Sequence, residues 1–483
     1  MRPERHAGAR PKAAGTRHIA VTAIGTSAAQ MLTLLSTPVL SRLYDPEAFS
    51  VWALFVAVGV LLGGISTLQY DAAIILPRRE RVVAALILFA LAAATVVALA
   101  GIPIAMLVGS VYHATLPKGL SNVIMALPVY ALAAGCQRVG MGVLIREGRF
   151  GRIAWTTALV PGGTTVAQLA FAWAPVSQAM ALVMGSIVGM VVSAAVALPP
   201  TIGLLRRCRR PELRRIGLAV GRYRRFPLLV LPFHCLEIFT VRGVYLILGR
   251  WPNPNLVGWY AFADRLLTAP AALVGASIRP VFANAGSVHD IRSLGDLVTG
   301  GVRLIAALAV PGWVVAMVYA DWLVPTILGE RWAPTSDLMR AIAPAALAML
   351  FATWLDRSFH LLERQRASLI LALVFGISGL SFLAASHALG FDPVTGLAGV
   401  AAARVLHAGA ILVAVYRFAG YGMGRLVRAM GMASVLLATT AGVALLLRSA
   451  LRLDLACIAS AAVAACLSGW RANREWRRLR SPR

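Results

Sequence analysis

What this chain has little of limits it first. Lysine is almost missing, with Lys12 and Lys118 alone, which suggests a GC-rich bacterial genome and carries no information about substrate. Acidic residues number 19 against 46 lysines and arginines, for a formal net charge of +27. The five cysteines, Cys136, Cys208, Cys235, Cys457 and Cys466, are scattered without metal-ligand spacing, so neither a disulfide framework nor a zinc site is indicated. The eight histidines are dispersed, and neither a P-loop nor a Gly-x-Ser-x-Gly elbow occurs. A transporter fuelled directly by nucleotide on this chain is not expected, nor is an enzyme, a cofactor or a metal.

What is present is apolar sequence. At 59% hydrophobic and 13% charged residues, with a mean hydropathy of +0.77, the 483 residues are too apolar for a soluble protein. Runs of the length needed to cross a bilayer, about 20 residues, lie at about 19–41, 48–76, 82–110, 120–145, 151–173, 176–203, 227–249, 256–283, 299–328, 335–361, 367–388, 393–418, 427–447 and 453–470. The first 18 residues are polar and basic like the start of a signal peptide, but the run after them is long and lacks a clear small-residue cleavage site, so it reads as a retained helix. The expected fold class is an all-α polytopic membrane protein of about 14 transmembrane helices.

The charge sits between the runs rather than in a patch, which argues against nucleic acid. With the N-terminus inside, 34 of the 46 basic residues fall on the inner side and six, Arg42, Lys118, Arg250, Arg331, Arg448 and Arg452, on the outer. That asymmetry predicts cytoplasmic N- and C-termini and an even number of spans. The densest basic stretch, Arg206 to Arg225, divides the first twelve spans into six and six. The expected organisation is an N-terminal six-helix bundle (1–205), a basic cytoplasmic linker (206–226) suited to anionic headgroups, a C-terminal six-helix bundle (227–420), and two extra helices with a basic tail (421–483). A faint repeat supports pseudo-symmetry: Pro46, Ser50, Trp52 and Ala53 match Pro254, Gly258, Tyr260 and Ala261 at one offset of 208.

Polar residues inside the runs are the functional candidates, because a charge in hydrocarbon is costly and faces an interior or a water-filled path. Thr22, Thr26, Gln30, Thr33 and Thr37 fall on one face of the first helix and either line a polar cavity or bond to neighbouring helices. Tyr260, Asp264 and Thr268 follow one another at helical spacing, and Asp71 flanks the opening hairpin. Arginines outnumber acids within the runs. Arg42, Arg138, Arg242, Arg265 and Arg279 are the candidates for holding an anion, phosphate above all, since a guanidinium stays charged and bonds it in a fork. Internal ion pairing and snorkelling are the competing explanation. Thr22, Thr26, Gln30, Thr33, Asp71 and Tyr260 are the expected polar lining, and Glu237 and Asp264 the candidates for coupling to a proton or sodium ion.

The block Ser41-Arg42-Leu43-Tyr44-Asp45-Pro46-Glu47-Ala48-Phe49 within Thr37–Pro77, the stretch from Arg225-Phe226-Pro227 through Gly258-Trp259-Tyr260-Ala261 to Pro280-Val281-Phe282, and Leu328-Gly329-Glu330-Arg331-Trp332 through Ala343-Pro344 together resemble the Wzx-type flippases. These are the polysaccharide-transporter branch of the multidrug/oligosaccharidyl-lipid/polysaccharide (MOP) exporter superfamily. The resemblance implies a two-bundle transporter with a cationic central cavity in the bacterial inner membrane. It would turn an undecaprenyl-diphosphate-linked oligosaccharide from the cytoplasmic to the periplasmic leaflet for O-antigen of lipopolysaccharide, capsule or exopolysaccharide. The implied partners are that substrate, membrane lipids, and a polysaccharide polymerase with its chain-length regulator. A cation or multidrug exporter on the same fold, which would need an acid-rich cavity, and a membrane glycan polymerase or ligase, which would need a sizeable outer loop, are the alternatives.

Overall fold

The computed structural model describes residues 25, 28–111, 120–208, 213–268, 294–355 and 358–480, and every regular element among them is helical. Helices fall at all fourteen expected places. They are α1 (28–43, with a turn at Ser36), α2 (Pro46–Ile65), α3 (Glu80–Val111), α4 (Leu127–Arg146), α5 (Phe150–Phe171), α6 (Gln178–Arg207), α7 (Leu231–Leu248), α8 (256–268), α9 (Gly295–Val318), α10 (Thr335–Ala352), α11 (Gln365–Ala388), α12 (Pro393–Phe418), α13 (Met423–Ala450) and α14 (Leu453–Arg480). Eleven are long and apolar enough to cross a membrane. Of the other three, α1 and α8 run into residues outside the described set. The third, α5, has the length but spends its surface on Thr156, Thr157, Thr164, Thr165 and Gln168. Those polar groups are used inside the protein: Gln168 Nε2 donates to the Leu182 carbonyl at 3.2 Å, and Ser193 Oγ to that of Thr156 at 2.7 Å, joining α5 to α6.

Lipid offers no hydrophobic drive for helices to associate, so close backbone approach and hydrogen bonds hold the bundles together. Both Gly-x-x-x-Gly pairs serve this. Gly59 and Gly63 lay α2 against Tyr130 and Ala134 of α4, while Gly185 and Gly189 lay α6 against Gln168 and Thr164 of α5. In the second bundle α12 packs on α10 and α11, and α7 packs on α11. The last pair, α13 and α14, packs on α9, where the Tyr319 hydroxyl reaches the Ala444 carbonyl at 2.8 Å and Ser460 Oγ at 2.9 Å. Prolines lie inside α3, α5, α6, α9 and α10 without ending them, as neighbouring helices in a membrane allow.

The linker is anchored to the first bundle. Its helix Leu213–Arg222 turns Ala219, Ile216 and Val220 onto Tyr70, Val83 and their neighbours, and the Tyr70 hydroxyl donates to the Val220 carbonyl at 3.2 Å. A single π-helical turn, Phe226–Val230, follows and leads into α7. The arginine-rich segments described, around residues 78–81, 146–152, 206–225, 364–366, 417–428 and 471–480, lie at the ends of helices that point the same way through the alternating bundle. The text below calls that the basic end.

Candidate functional site between the two bundles

The bundles meet along a seam formed by α1, α2 and α4 on one side and α7 and α8 on the other. At the end opposite the basic one, the start of α8 lies directly on the start of α2: the Gly258 amide donates to Ser50 Oγ at 2.7 Å, and a Cβ at Gly258 would fall 2.1 Å from the Pro46 carbonyl oxygen. Around this crossing, Phe49, Phe262 and Trp332 form a buried aromatic cluster, with ring centroids 4.6 Å apart for Phe49–Phe262 and 4.0 Å for Phe262–Trp332. Trp332 Nε1 donates to the Ser41 carbonyl at 2.9 Å, and the Arg331 guanidinium pairs with Asp45 and reaches the Arg42 carbonyl at 2.7 Å. This end of the seam is shut.

One helical turn deeper, Arg265 of α8 crosses to α1, where Nη2 donates to the Thr33 carbonyl at 2.7 Å and approaches Ser36 Oγ at 3.5 Å. Its Nε is buried and has no hydrogen-bond partner among the described residues. Further along, towards the basic end, the chain after α2 makes a tight turn with Leu68 and Gln69 at positive φ, 49° and 62°. Two successive non-glycine residues in this region are strained, and Gln69 Nε2 steadies the turn on the Gly64 carbonyl at 3.2 Å. The turn delivers Asp71, which accepts from Thr67 Oγ1 and pairs with Arg138 of α4 at 3.1 Å. Arg138 in turn reaches across the seam to His234 Nε2 of α7 at 3.3 Å, and His234 Nδ1 lies 3.6 Å from Glu237.

Behind α7, inside the second bundle, is a cavity of about 640 Å³ between α7, α8, α10, α11 and α12. Its polar wall includes Glu237, Arg242, Asp264, Arg404 and His407 with the hydroxyls of Thr240, Thr268, Thr353 and Ser368, and the rest is mainly aliphatic. Asp264 accepts from the Tyr245 hydroxyl at 2.8 Å, and Arg242 lies over the Tyr245 ring at 5.8 Å.

The structure thus divides the residues expected at one site among three places. Asp71, Arg138, Arg265 and Thr33 lie on the seam, and Glu237, Arg242 and Asp264 line the cavity behind it. Arg42 ends α1 at the closed end with its side chain exposed, apart from the other arginines. Tyr260 departs from the stripe it forms with Asp264 and Thr268: it is 1% exposed and packed edge-on against Tyr245 at 4.9 Å. Thr33 Oγ1 faces Thr165 of α5 at 3.5 Å, so its side chain joins helices while its carbonyl holds Arg265. Gln30 is half-buried on α1. Thr22, Thr26 and Arg279 lie outside the described residues. Sequence reasoning did not single out His407, which lies one helical turn after Arg404; that spacing was the available signal.

Two helical bundles joined by a basic linker, which meet along a seam shut at one end and crossed by Arg138 and Arg265, make this a multi-pass membrane protein. Residues 39–337 match the family model described as polysaccharide biosynthesis protein, and the chain belongs to that family. Among solved structures it is similar to the lipid II flippase MurJ in an inward closed conformation, with a TM-score of 0.75 and 10% identity over 95% of this chain and 99% of that one. It is also similar to an inward-facing MATE family multidrug resistance transporter (TM-score 0.60, 16% identity, 83% of this chain and 98% of that one) and to an outward-facing one (0.52, 15%, 84% and 96%). No curated protein matches the chain by sequence.

Proposed function

We propose that this protein is a flippase that moves an undecaprenyl-diphosphate-linked oligosaccharide repeat unit from the cytoplasmic to the periplasmic leaflet of the bacterial inner membrane, by alternating access between its two bundles. The product would feed O-antigen, capsule or exopolysaccharide assembly, where a polymerase and its chain-length regulator would take it over. The observation that carries the reading is Arg265, a guanidinium that crosses the seam and whose buried Nε has no partner among the described residues. A donor left without an acceptor in a low-dielectric site favours an anion that supplies one. Arg138 also has a buried Nε without a partner among the described residues, and Arg242 stands on the cavity wall behind the seam.

In this mechanism the arginines bind the diphosphate, the polar groups of α1 and its neighbours meet the sugars, and the prenyl chain stays in lipid. The basic end faces the cytoplasm, as the charge asymmetry requires, with both termini on that side. An inside-negative potential then assists outward movement of the anion by about 2.3 kcal/mol per charge per 100 mV. Glu237 and Asp264 are the groups for ion coupling. The family's biosynthetic description favours this reading over a drug exporter.

The test is the leaflet distribution of the diphosphate-linked repeat unit in cells lacking the protein, read with an impermeant sugar-modifying probe on intact spheroplasts. Inner-leaflet accumulation relieved by the wild-type protein is the expected result. Accumulation of unpolymerised unit in the outer leaflet would overturn the reading in favour of a polymerase or ligase.

A further inference from the structure

We infer that His234 is a proton-binding site that latches the two bundles at the cytoplasmic side of the seam, and that taking up a proton there releases them. The inference deepens the flippase reading and rests on its alternating movement of the bundles. The argument begins with donors and acceptors. A guanidinium only donates, so the 3.3 Å contact between Arg138 Nη1 and His234 Nε2 requires a lone pair on that nitrogen. The ring is therefore neutral, with its proton on Nδ1, the atom that faces Glu237 at 3.6 Å. That separation is too long for a good hydrogen bond.

A second proton on the ring reverses the contacts. Nε2 becomes a donor facing a cation, so the bond across the seam is lost and replaced by repulsion. The imidazolium then gains the Glu237 carboxylate on its own helix, three residues on. Charge within the group favours the exchange: Asp71, Arg138, neutral His234 and Glu237 carry a net −1, and protonation brings this to zero. Arg138 is not left stranded, because Asp71 still holds it at 3.1 Å within the first bundle.

The surroundings isolate the switch. On the first bundle, α2 brings Gly64 against the ring and has Glu47 as its one charged residue, at the far end. On α4 the other titratable groups are Tyr130, Cys136 and Arg146; Tyr130 packs on Phe55, and Arg146 is spent on the carbonyls of the turn at Ile74–Arg78. On α7 itself the groups nearest in sequence are Cys235 and Glu237, with Arg242 two turns on beside Tyr245. Between Arg366 and His387, α11 has no titratable residue, and Asp264 of α8 is engaged with Tyr245. Glu237, whose side chain is 61% exposed, lines the cavity, so water reaches this side of the seam without crossing the closed end, and the incoming proton is taken up by Nε2 when its contact with Arg138 opens.

Pulsed electron–electron spin resonance on the full chain tests this. All five native cysteines are replaced and labels are attached through R149C on the first bundle and R366C on the second, both exposed at the basic end. From about pH 8 to about pH 5, the range in which histidine changes charge, the population with separated labels should rise at least roughly fivefold. H234Q keeps an acceptor for Arg138 but cannot be charged, and should stay closed throughout. H234R and R138M should be separated at both pH values, which also shows that the substituted chains fold and move. Wild-type distances that ignore pH, or an H234Q response equal to that of wild type, would overturn the latch. Because the readout is distance rather than transport, either result stands apart from the fate of the flippase reading.

Discussion

The Gly258 amide donates to Ser50 Oγ at 2.7 Å, and these two residues are equivalent positions of the internal repeat, 208 residues apart. For equivalent residues to touch, the pseudo-symmetry axis must pass between them, so the starts of α2 and α8 form the crossing about which the bundles are related. A side chain at Gly258 has nowhere to go, because the obstacle is the Pro46 carbonyl rather than a movable side chain. Gly258→Ala should therefore part the bundles at this end. Disulfide trapping of a D45C/R331C pair, adjacent in the closed form, should fall by roughly tenfold, the effect of about 1.4 kcal/mol on the equilibrium; undiminished trapping would refute the close-approach role.

The Arg331–Asp45 pair is about half exposed on both sides, and such pairs contribute about 0.2–1 kcal/mol. Asp45→Asn or Arg331→Met should thus reduce transport by no more than about fivefold, and the charge-swapped double variant should recover part of it. Trp332→Ala removes a fully buried ring and should cost about 3–5 kcal/mol in stability. Thermal unfolding of the purified variants in detergent would rank them in that order.

Arg265→Ala should abolish transport while leaving membrane insertion intact, and Arg138→Ala should do the same. Arg265→Lys should recover little, since an ammonium lacks the planar fork that spans Thr33 and an anion together. Transport assays alongside membrane-fraction immunoblots separate loss of function from loss of protein. Unimpaired transport in both alanine variants would remove the arginines from the site.

Outside the membrane-spanning segments, Asp321 on the short helix Ala320–Leu328 sits between Arg448 and Arg340, at 2.5 and 2.9 Å. Burial pushes its carboxyl up, but the hydrogen bond from Arg448 and the charges of both arginines outweigh this and hold it below its ordinary value. A lowered native value means that its stabilisation is present above the ordinary carboxylate range and is lost as pH falls through the native value. Asp321→Asn should therefore lower the unfolding temperature at about pH 7, and the gap to wild type should narrow as pH falls below the ordinary carboxylate range. A gap that persists in acid would mean that the loss is one of packing.

The helical architecture was legible because bilayer thickness imposes one length on every span, and the linker because nine arginines between Arg206 and Arg225 break the apolar pattern. The repeat pairs Ser50 with Gly258, and the crossing where they touch has no room for a Cβ at Gly258. The grouping of the site was not. Arg138 and His234 are 96 residues apart, and nothing in helical spacing says which span faces which. Periodicity placed Tyr260 with Asp264 and Thr268, but a tyrosine ring gains more from packing on Tyr245 than from facing water, so the stripe divides after one turn. Arg331 was sorted to an outer loop by charge alone, which reveals neither Asp45 nor Trp332's reach to Ser41.

The linker helix fastened to Tyr70 and Val83 has a mechanical consequence. Chain between the bundles is ordinarily slack that absorbs any displacement, but here its described helix, Leu213–Arg222, is fastened to the first bundle. What is left to deform is the π turn at Phe226–Val230, which contains Pro227 and is followed by Pro232 in the first turn of α7. A tether that short would convert sliding into swivelling, so that any relative movement of the second bundle would turn about a pivot at Phe226, eight residues before His234.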